Sequence, residues 1–329
     1  MSVLVTGGAG YIGSHTVIDL LNAGEEVFVI DNLTTGFDWA VQVPDDKLYV
    51  GDIADEALVD GIIARHKIEA VVHFAGSIIV PESVADPLKY YLNNTAKSRT
   101  LIERCVRGGV KHFIFSSTAA VYGMPDAASV AEDAPLNPMS PYGRSKLMTE
   151  WMLADVAAAH DMTYAALRYF NVAGGDPKGR IGQSTANATH LIKVACQTAL
   201  GFRPAIEVYG DDYPTADGTC IRDYIHVSDL AAAHTAALQY LRGGGKSLVA
   251  NCGYGHGFSV RQVLKAVERA AGHPFEVRKA PRRPGDPASV VSNPARIKAT
   301  LGWTPHYDDL DTIVGHALAW EAKLRERNR

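Results

Sequence analysis

The 329-residue sequence predicts an α/β fold, a doubly wound parallel sheet with a smaller C-terminal domain. Three observations predict it. Short apolar runs alternate with helical stretches through the first half of the chain. A glycine-rich turn, Gly7-Gly8-Ala9-Gly10-Tyr11-Ile12-Gly13, joins the first run to the first helix. Beyond Asn171 the alternation breaks into segments rich in Gly, Pro and Asp, such as Gly174-Gly175-Asp176-Pro177.

The elements follow in order. Val3-Leu4-Val5 reads as a buried strand, and His15 to Asn22 as a helix. Between them Gly7, Gly10 and Gly13 let the backbone turn tightly, approach a pyrophosphate and pack the helix on the strand. The first helical turn, with Tyr11 and Ile12, offers unpaired N–H groups and a positive dipole end to phosphates. The next run, Val27-Phe28-Val29-Ile30, ends in Asp31, whose carboxylate suits the two ribose hydroxyls of adenosine. Asn32-Leu33-Thr34-Thr35-Gly36 follows with no Arg or Lys to neutralise a 2′-phosphate, which favours NAD over NADP. The fold is therefore expected to be of the Rossmann type.

Further strands are expected at Lys47 to Val50, Ala70 to Phe74, His112 to Phe115 and Tyr164 to Leu167, with helices near Glu56–His66, Leu88–Arg107 and Tyr142–His160. Gly51-Asp52-Ile53 and Phe74-Ala75-Gly76 end two of these strands, where ligands of such sheets bind. Helices reappear at Ser228–Leu241, Ser259–Ala271 and Leu310–Arg325. Residues 1–172 form the expected dinucleotide domain, with a returning segment near 226–250. Residues 173–225 and 251–329 form the expected substrate domain.

Composition narrows the possibilities. A hydrophobic content of 47% suffices for a packed core, and a net charge of −4 offers no broad basic field for nucleic acid. Apolar runs fall short of the roughly 20 residues of a membrane span. The first strand begins at once, leaving no room for a signal peptide. Cys105, Cys196, Cys220 and Cys252 are scattered, which fits reduced thiols in a cytoplasmic protein. The twelve histidines show no metal-ligand spacing.

Ser140-Pro141-Tyr142-Gly143-Arg144-Ser145-Lys146 carries the chemistry. Positions i and i+4 share a helix face, so Lys146 stands beside whatever Tyr142 contacts. A phenol of pKa near ~10 is a poor base at neutral pH. A neighbouring ammonium and the positive ring of an oxidised nicotinamide are expected to lower that value. With the glycine loop, the pair points to hydride chemistry at an alcohol carbon.

These residues resemble the extended short-chain dehydrogenase/reductase superfamily, and within it the UDP-glucose 4-epimerase family. The resemblance runs over nearly the whole chain. It includes His73-Phe74-Ala75-Gly76, Phe115-Ser116-Ser117-Thr118, Val121-Tyr122-Gly123 and Tyr169-Phe170-Asn171. More specific are Tyr213-Pro214-Thr215, Arg222-Asp223-Tyr224-Ile225-His226-Val227 and Pro281-Arg282-Arg283-Pro284-Gly285-Asp286.

The resemblance implies that UDP-glucose and UDP-galactose are interconverted through a 4-keto sugar. Tyr142 would move the proton of the 4-hydroxyl, Lys146 would hold the nicotinamide ribose, and Thr118 would bridge sugar and tyrosine. It adds Asp52, Ile53, Phe74, Ala75, Gly76, Asn93 and Phe170 to the NAD-binding set. Asn171, His190, Tyr209, Arg222, Arg283, Asp286 and Val290 join Thr118 and Tyr142 against the nucleotide sugar. A homodimer built on the helices near 88–107 and 142–160 is implied as well, with Leu147, Trp151 and Ala154 at helical spacing.

Three positions depart from the family pattern: Ile78 where many members carry Lys, His190 where an Asn stands, and Val290 where glucose/galactose-restricted members carry a bulky Tyr. The small Val290 is expected to admit an N-acetyl group at C2. A 4,6-dehydratase would carry Asp-Glu after Thr118, whereas this chain has Ala119-Ala120. An NAD(P)H-dependent 4-keto-sugar reductase needs the same Thr, Tyr and Lys and stays open. A catalytically silent NAD sensor would be expected to lose one of the three.

Overall fold

Strands buried on both faces read as unbroken apolar runs, and such runs assemble here into one parallel sheet. The computed structural model describes residues 1–125, 129–186, 188–283 and 285–327. The chain-order strands are β1 (Ser2–Thr6), β2 (Glu26–Asp31), β3 (Leu48–Val50), β4 (Ala70–His73), β5 (His112–Thr118), β6 (Thr163–Tyr169), β7 (Asn171–Ala173), β8 (Ile206–Tyr209), β9 (Ile221–Arg222), β10 (Tyr224–His226), β11 (Leu248–Cys252), β12 (Phe258–Ser259), β13 (Val277–Ala280) and β14 (Ser289–Val290). Seven of them form the central sheet in the order β11-β6-β5-β4-β1-β2-β3, all parallel. The order reverses between β1 and β4, which opens a crevice at their carboxyl ends.

The helices are α1 (Tyr11–Asn22), α2 (Glu56–His66), α3 (Val80–Ala85), α4 (Pro87–Tyr90), α5 (Lys97–Arg107), α6 (Pro141–Ala159), α7 (Leu191–Ala199), α8 (Val227–Arg242), α9 (Val260–Ala271), α10 (Ala295–Leu301) and α11 (Leu310–Arg327). One face of the sheet is covered by α2, α5 and α6, through Ile62, Leu101 and Leu153. On the other face an apolar cluster runs from Val5 and Leu20 through Leu238 to Ile192, Val263 and Ile313. Helix α8 packs against α1 and the sheet, and β11 pairs with β6, so residues 227–252 return to the central sheet. Helices α7, α9 and α11 pack on one another.

Several elements differ from the sequence reading. Helix α1 starts at Tyr11 rather than His15, because Gly10 has extended backbone and caps it without a side chain. The stretch 88–107 is helical throughout, as expected, but α4 passes into α5 through a π-helical segment, Tyr91–Ala96, whose wide turn is marked by Asn93 and Asn94. Helix α7 and the short strands β8, β9, β13 and β14 arise where no regular element was expected, and β12 takes Ser259 from the start of the expected helix Ser259–Ala271. Their contacts are made with distant chain, which local periodicity does not record.

A buried ion pair stiffens the sheet behind β5. The Arg168 guanidinium on β6 donates to both oxygens of Glu150 on α6, with Nη2 to Oε2 at 2.6 Å, and both side chains are 4% exposed. Ser117 Oγ donates to Glu150, and Arg168 Nη1 to the Tyr122 hydroxyl, which donates to Asn251 Oδ1. Arg168→Met strands the carboxylate, so it should cost about 3–5 kcal/mol of unfolding free energy in urea titration. A loss below about 1 kcal/mol would show that the pair carries little of the sheet's stability.

Candidate functional site

The glycine loop leaves β1 and enters α1 through close backbone approaches. Gly7 has φ +70°, and a Cβ there would lie 2.6 Å from the Ala75 nitrogen. A Cβ on Gly13 would meet the Gly7 carbonyl oxygen at 2.2 Å. The Gly7 approach brings the loop after β1 against Phe74 and Ala75 after β4, and the Gly13 approach packs the start of α1 on the loop itself. No acidic side chain lies in the first turn of α1, and Gly10 leaves its end uncapped. That end suits an anion.

Asp31 ends β2 with both oxygens fixed, accepting from Ala9 N at 2.9 Å and Leu33 N at 2.8 Å. Burial pushes its pKa up, and the two N–H groups oppose the shift. Asn32 follows, exposed, and its amide reaches the Asp52 carboxylate. Asp52 also accepts from Lys97 Nζ at 2.6 Å, while the Ile53 side chain is buried in the core under α2. An aimed carboxylate, an uncapped helix end and a glycine-built approach fit a dinucleotide with free ribose hydroxyls.

Helix α6 brings Tyr142 and Lys146 to the end of β5. Ser140 caps it, its Oγ accepting from Gly143 N at 3.2 Å, and Pro141 occupies the first turn. Tyr142 and Lys146 are both buried. Lys146 Nζ donates to the Ser116 carbonyl at 3.0 Å and lies 4.8 Å from the centre of the Phe115 ring. A Cβ on Gly76 would stand 4.0 Å from Nζ and 2.9 Å from Asn94 Oδ1. Burial pulls the Lys146 pKa down to about 8, against the raising influence of Glu150.

Thr118 and Tyr169 are register partners on β5 and β6, and both hydroxyls reach Tyr142. The Tyr142 pKa lies well above the ordinary phenol value. Burial is the main cause, Tyr169 adds to it, and the Thr118 hydroxyl opposes it. The expectation of a lowered value counted an oxidised nicotinamide ring as well as Lys146; among the protein's own groups Lys146 is not a cause of the shift, its ammonium being hydrogen-bonded to Ser116.

Asn93 and Asn94 sit on the π-helical segment. Asn93 Nδ2 donates to Ser77 Oγ at 3.1 Å, and Asn94 is clamped between Ser77 and Ser145. Phe170, expected toward the cofactor, buries its ring with Val121, Tyr122, Val130 and Leu147. Ile78 is exposed beside this region.

The second half supplies a facing wall. Asn171 starts β7, and with Tyr11, Gln183, His190 and Tyr224 it lines one cleft. Its N–H donates to the Asp223 carbonyl. His190 is exposed at the start of α7. Arg222 and Val290 are register partners on β9 and β14. The buried Asp223 carboxylate accepts from Tyr254 N, Gly255 N and Ser292 N and Oγ, locking the corner that carries them. Arg222 forms an ion pair with Asp286, and the Arg283 guanidinium lies 3.8 Å from the centre of the Tyr209 ring. Pro284, in the same segment, lies outside the described residues.

Sequence reasoning gave no role to Tyr169, Ser116, Lys97, Asn94 or Asp223. Only Tyr169 carried a usable signal, as a phenol at the carboxyl end of a central strand. Among the described residues no cluster of His, Cys, Asp or Glu could hold a metal, and no helix is long and apolar enough to cross a membrane.

Comparison with known proteins agrees with this architecture. Residues 3–253 match the model of the NAD dependent epimerase/dehydratase family. A UDP-glucose 4-epimerase of Azospirillum brasilense is 56% identical over 98% of this chain and 93% of its own length. The crystal structure of UDP-glucose 4-epimerase from Brucella ovis in complex with NAD superposes with a TM-score of 0.94 at 45% identity, covering 96% of this chain and 97% of that one. The UDP-Glc/GlcNAc 4-epimerase of Campylobacter jejuni is 47% identical, with a TM-score of 0.86 and coverage of 98% and 99%. Match length, identity and shared fold together place this chain in the NAD dependent epimerase/dehydratase family.

Proposed function

We infer that this chain interconverts UDP-glucose and UDP-galactose by inverting C4 of the sugar, with NAD as cofactor. The observation that carries the reading is Tyr142, buried between the Thr118 and Tyr169 hydroxyls one helical turn from Lys146. NAD, when bound, would supply the hydride acceptor and donor for C4 and a positive charge that favours the phenolate. The chain's own residues do the rest. Tyr142 takes the proton from the sugar O4 and later returns it, and the Thr118 hydroxyl relays it and opposes the penalty of burial. Lys146, fixed on Ser116, holds the nicotinamide ribose. Asp31 holds the adenosine ribose, and the α1 end with Gly7, Gly10, Tyr11, Ile12 and Gly13 holds the pyrophosphate.

Asn32, Asp52, Ile53, Phe74, Ala75, Gly76, Asn93 and Phe170 complete the cofactor cleft, the two buried side chains among them through backbone. On the sugar-nucleotide side, the Arg222 and Arg283 forks suit a diphosphate. Asn171, His190, Tyr209, Asp286 and Val290 complete that wall. A nucleotide held by its phosphates leaves the keto-hexose free to turn its other face to the cofactor. We assign residues 1–172, with the return near 226–250, to the cofactor side and 173–225 with 251–329 to the sugar-nucleotide side. The four cysteines are buried free thiols, in keeping with a cytoplasmic setting.

The purified protein should convert UDP-galactose to UDP-glucose without added dinucleotide. Tyr142→Phe should lower kcat by about two to four orders of magnitude while leaving bound NAD in place, and Thr118→Ala should cost less. Near-normal turnover by Tyr142→Phe would sink the acid/base assignment. Strict dependence on added NADPH, with a 4-keto sugar as substrate, would favour the reductase reading.

Val290 supports a wider sugar range. It is a small side chain beside Arg222, backed by Val121 and Tyr122. The Campylobacter relative's UDP-Glc/GlcNAc designation points the same way. UDP-N-acetylglucosamine should be epimerised beside UDP-glucose, and Val290→Tyr should lower kcat/KM for the N-acetyl sugar alone. An equal penalty on both sugars would remove Val290 as the determinant.

A homodimer is supported by apolar side chains on the outer faces of α3, α4, the π-helical segment and α6. Val84, Leu88, Leu92 and Trp151 are 66%, 77%, 55% and 56% exposed. Leu147, whose spacing fits either the dimer face or the domain's own core, is buried in the cluster with Val121, while Ala154 is exposed. Sedimentation equilibrium should give the mass of two chains, and Leu88→Glu with Trp151→Glu should give one. A wild-type monomer at micromolar concentration would reject the interface.

A further inference from the structure

The wall across the phosphate cradle comes from two loops far apart in sequence. After β2 the chain folds back over the glycine loop, where Phe37 N donates to the Ala9 carbonyl at 3.0 Å. After β7 a second loop arrives, and a small cleft is lined by Ala9, Gly10 and Tyr11 on one side and by Phe37, Gly182 and Ser184 on the other. Ile18, Ala40 and Ile181 form a satellite core there, with Phe37 and Trp39 packed against it. The first loop has a single 3-10 turn, Asp38–Ala40, the second a single bridge, Gly175 to Gly182, and α11 reaches both.

Trp320 of α11 does most of the reaching. A Cβ on Gly182 would fall 2.3 Å from its Cγ, so the second loop lies flat on the indole. Its Nε1 donates to Ser184 Oγ at 3.3 Å, and its ring centre lies 6.1 Å from that of Trp39. The neighbouring Glu321 is buried and accepts from Lys193 Nζ at 2.6 Å, and the same ammonium donates to the Gln183 carbonyl at 2.6 Å. Lys323 Nζ donates to the Gly179 carbonyl.

We propose that Trp320, kept in place by the Lys193–Glu321 pair, is the positioning residue that retains the dinucleotide by clamping both loops over the phosphate cradle. The proposal rests on NAD as cofactor and is independent of which sugar is turned over. Retention is a property this chemistry needs, because a reduced cofactor that leaves strands a keto sugar. A helix outside the nucleotide-binding motif thereby sets the residence time of the cofactor.

The test measures NAD itself. Wild type and variants are gel-filtered, bound NAD is released by denaturation and quantified, and NAD loss after dilution is followed with time. Trp320→Ala should lose NAD roughly tenfold faster or more and need added NAD for turnover, with Trp320→Phe between it and wild type. Ile313→Ala, on the same helix but in the main core, should lower the melting temperature and leave the release rate unchanged. Equal acceleration by Ile313→Ala, or an unchanged rate in a folded Trp320→Ala, would overturn the proposal. Should Trp320→Ala not fold, the double variant Lys193→Met/Glu321→Leu removes the ion pair together with its bonds to Gln183 and Gln197, and its release rate is compared with that of Ile313→Ala, the destabilised control. Faster release from that variant upholds the proposal, and an unchanged rate refutes it.

Discussion

The hydrogen bond from Lys146 Nζ to the Ser116 carbonyl ties α6 to the last residues of β5. A buried ammonium is expensive unless it is hydrogen-bonded, so this contact restricts where α6 can sit. Ser140 fixes where the helix begins, and the carbonyl fixes how it is rotated. Tyr142 is then carried to the place where Thr118 and Tyr169 stand side by side on neighbouring strands. Three hydroxyls thus meet from three elements with one register between them. Behind them the Glu150–Arg168 pair holds α6 and β6 together, so a shift of either would break both contacts.

The same logic, with the sign of charge reversed, organises the second half. Asp223 and Asp229 are carboxylates that burial would penalise, and each is satisfied by groups from distant chain. Asp223 binds the backbone of Tyr254, Gly255 and Ser292. Asp229 accepts from the Tyr254 hydroxyl and from His306 and Tyr307 N. These two acids gather the short strands, and with them Arg222 and Val290, without needing a large sheet. Anchors of this kind make irregular chain rigid, which a wall of small strands and loops requires.

Legibility in the sequence followed the range of the forces involved. The parallel sheet was readable because strands such as Val27 to Ile30 are apolar throughout, and α2 was placed correctly because Asp55 caps it locally. The glycine loop was readable because its demands are steric and confined to seven residues. Helix α7 was not, since its apolar face is defined only by its packing against α9 and α11. The upward push of burial on the Tyr142 pKa was not legible for a related reason: spacing places Lys146 one turn away, but burial is set by the packed chain around the phenol. Leu147 and Trp151 share a helix face on paper, yet one enters the core and the other stays in solvent.

The π-helical turn at Tyr91–Ala96 has a further consequence. Such a turn carries one residue more than an α-helical turn, and each residue of an α-helix advances the side chains by about 100°. Rewinding the segment as plain α-helix with no residue removed would keep Ser98 and Leu101 facing the core while swinging everything before it around the axis. Tyr90, whose hydroxyl donates to Ile79 O and Glu82, would leave the interior, and Leu88 would change faces. The irregularity is therefore a phase adjustment between two helical pieces with different inward sides. The amide pair Asn93 and Asn94 sits where the phase changes, so the polar edge of the crevice and the helix's break in periodicity are one feature.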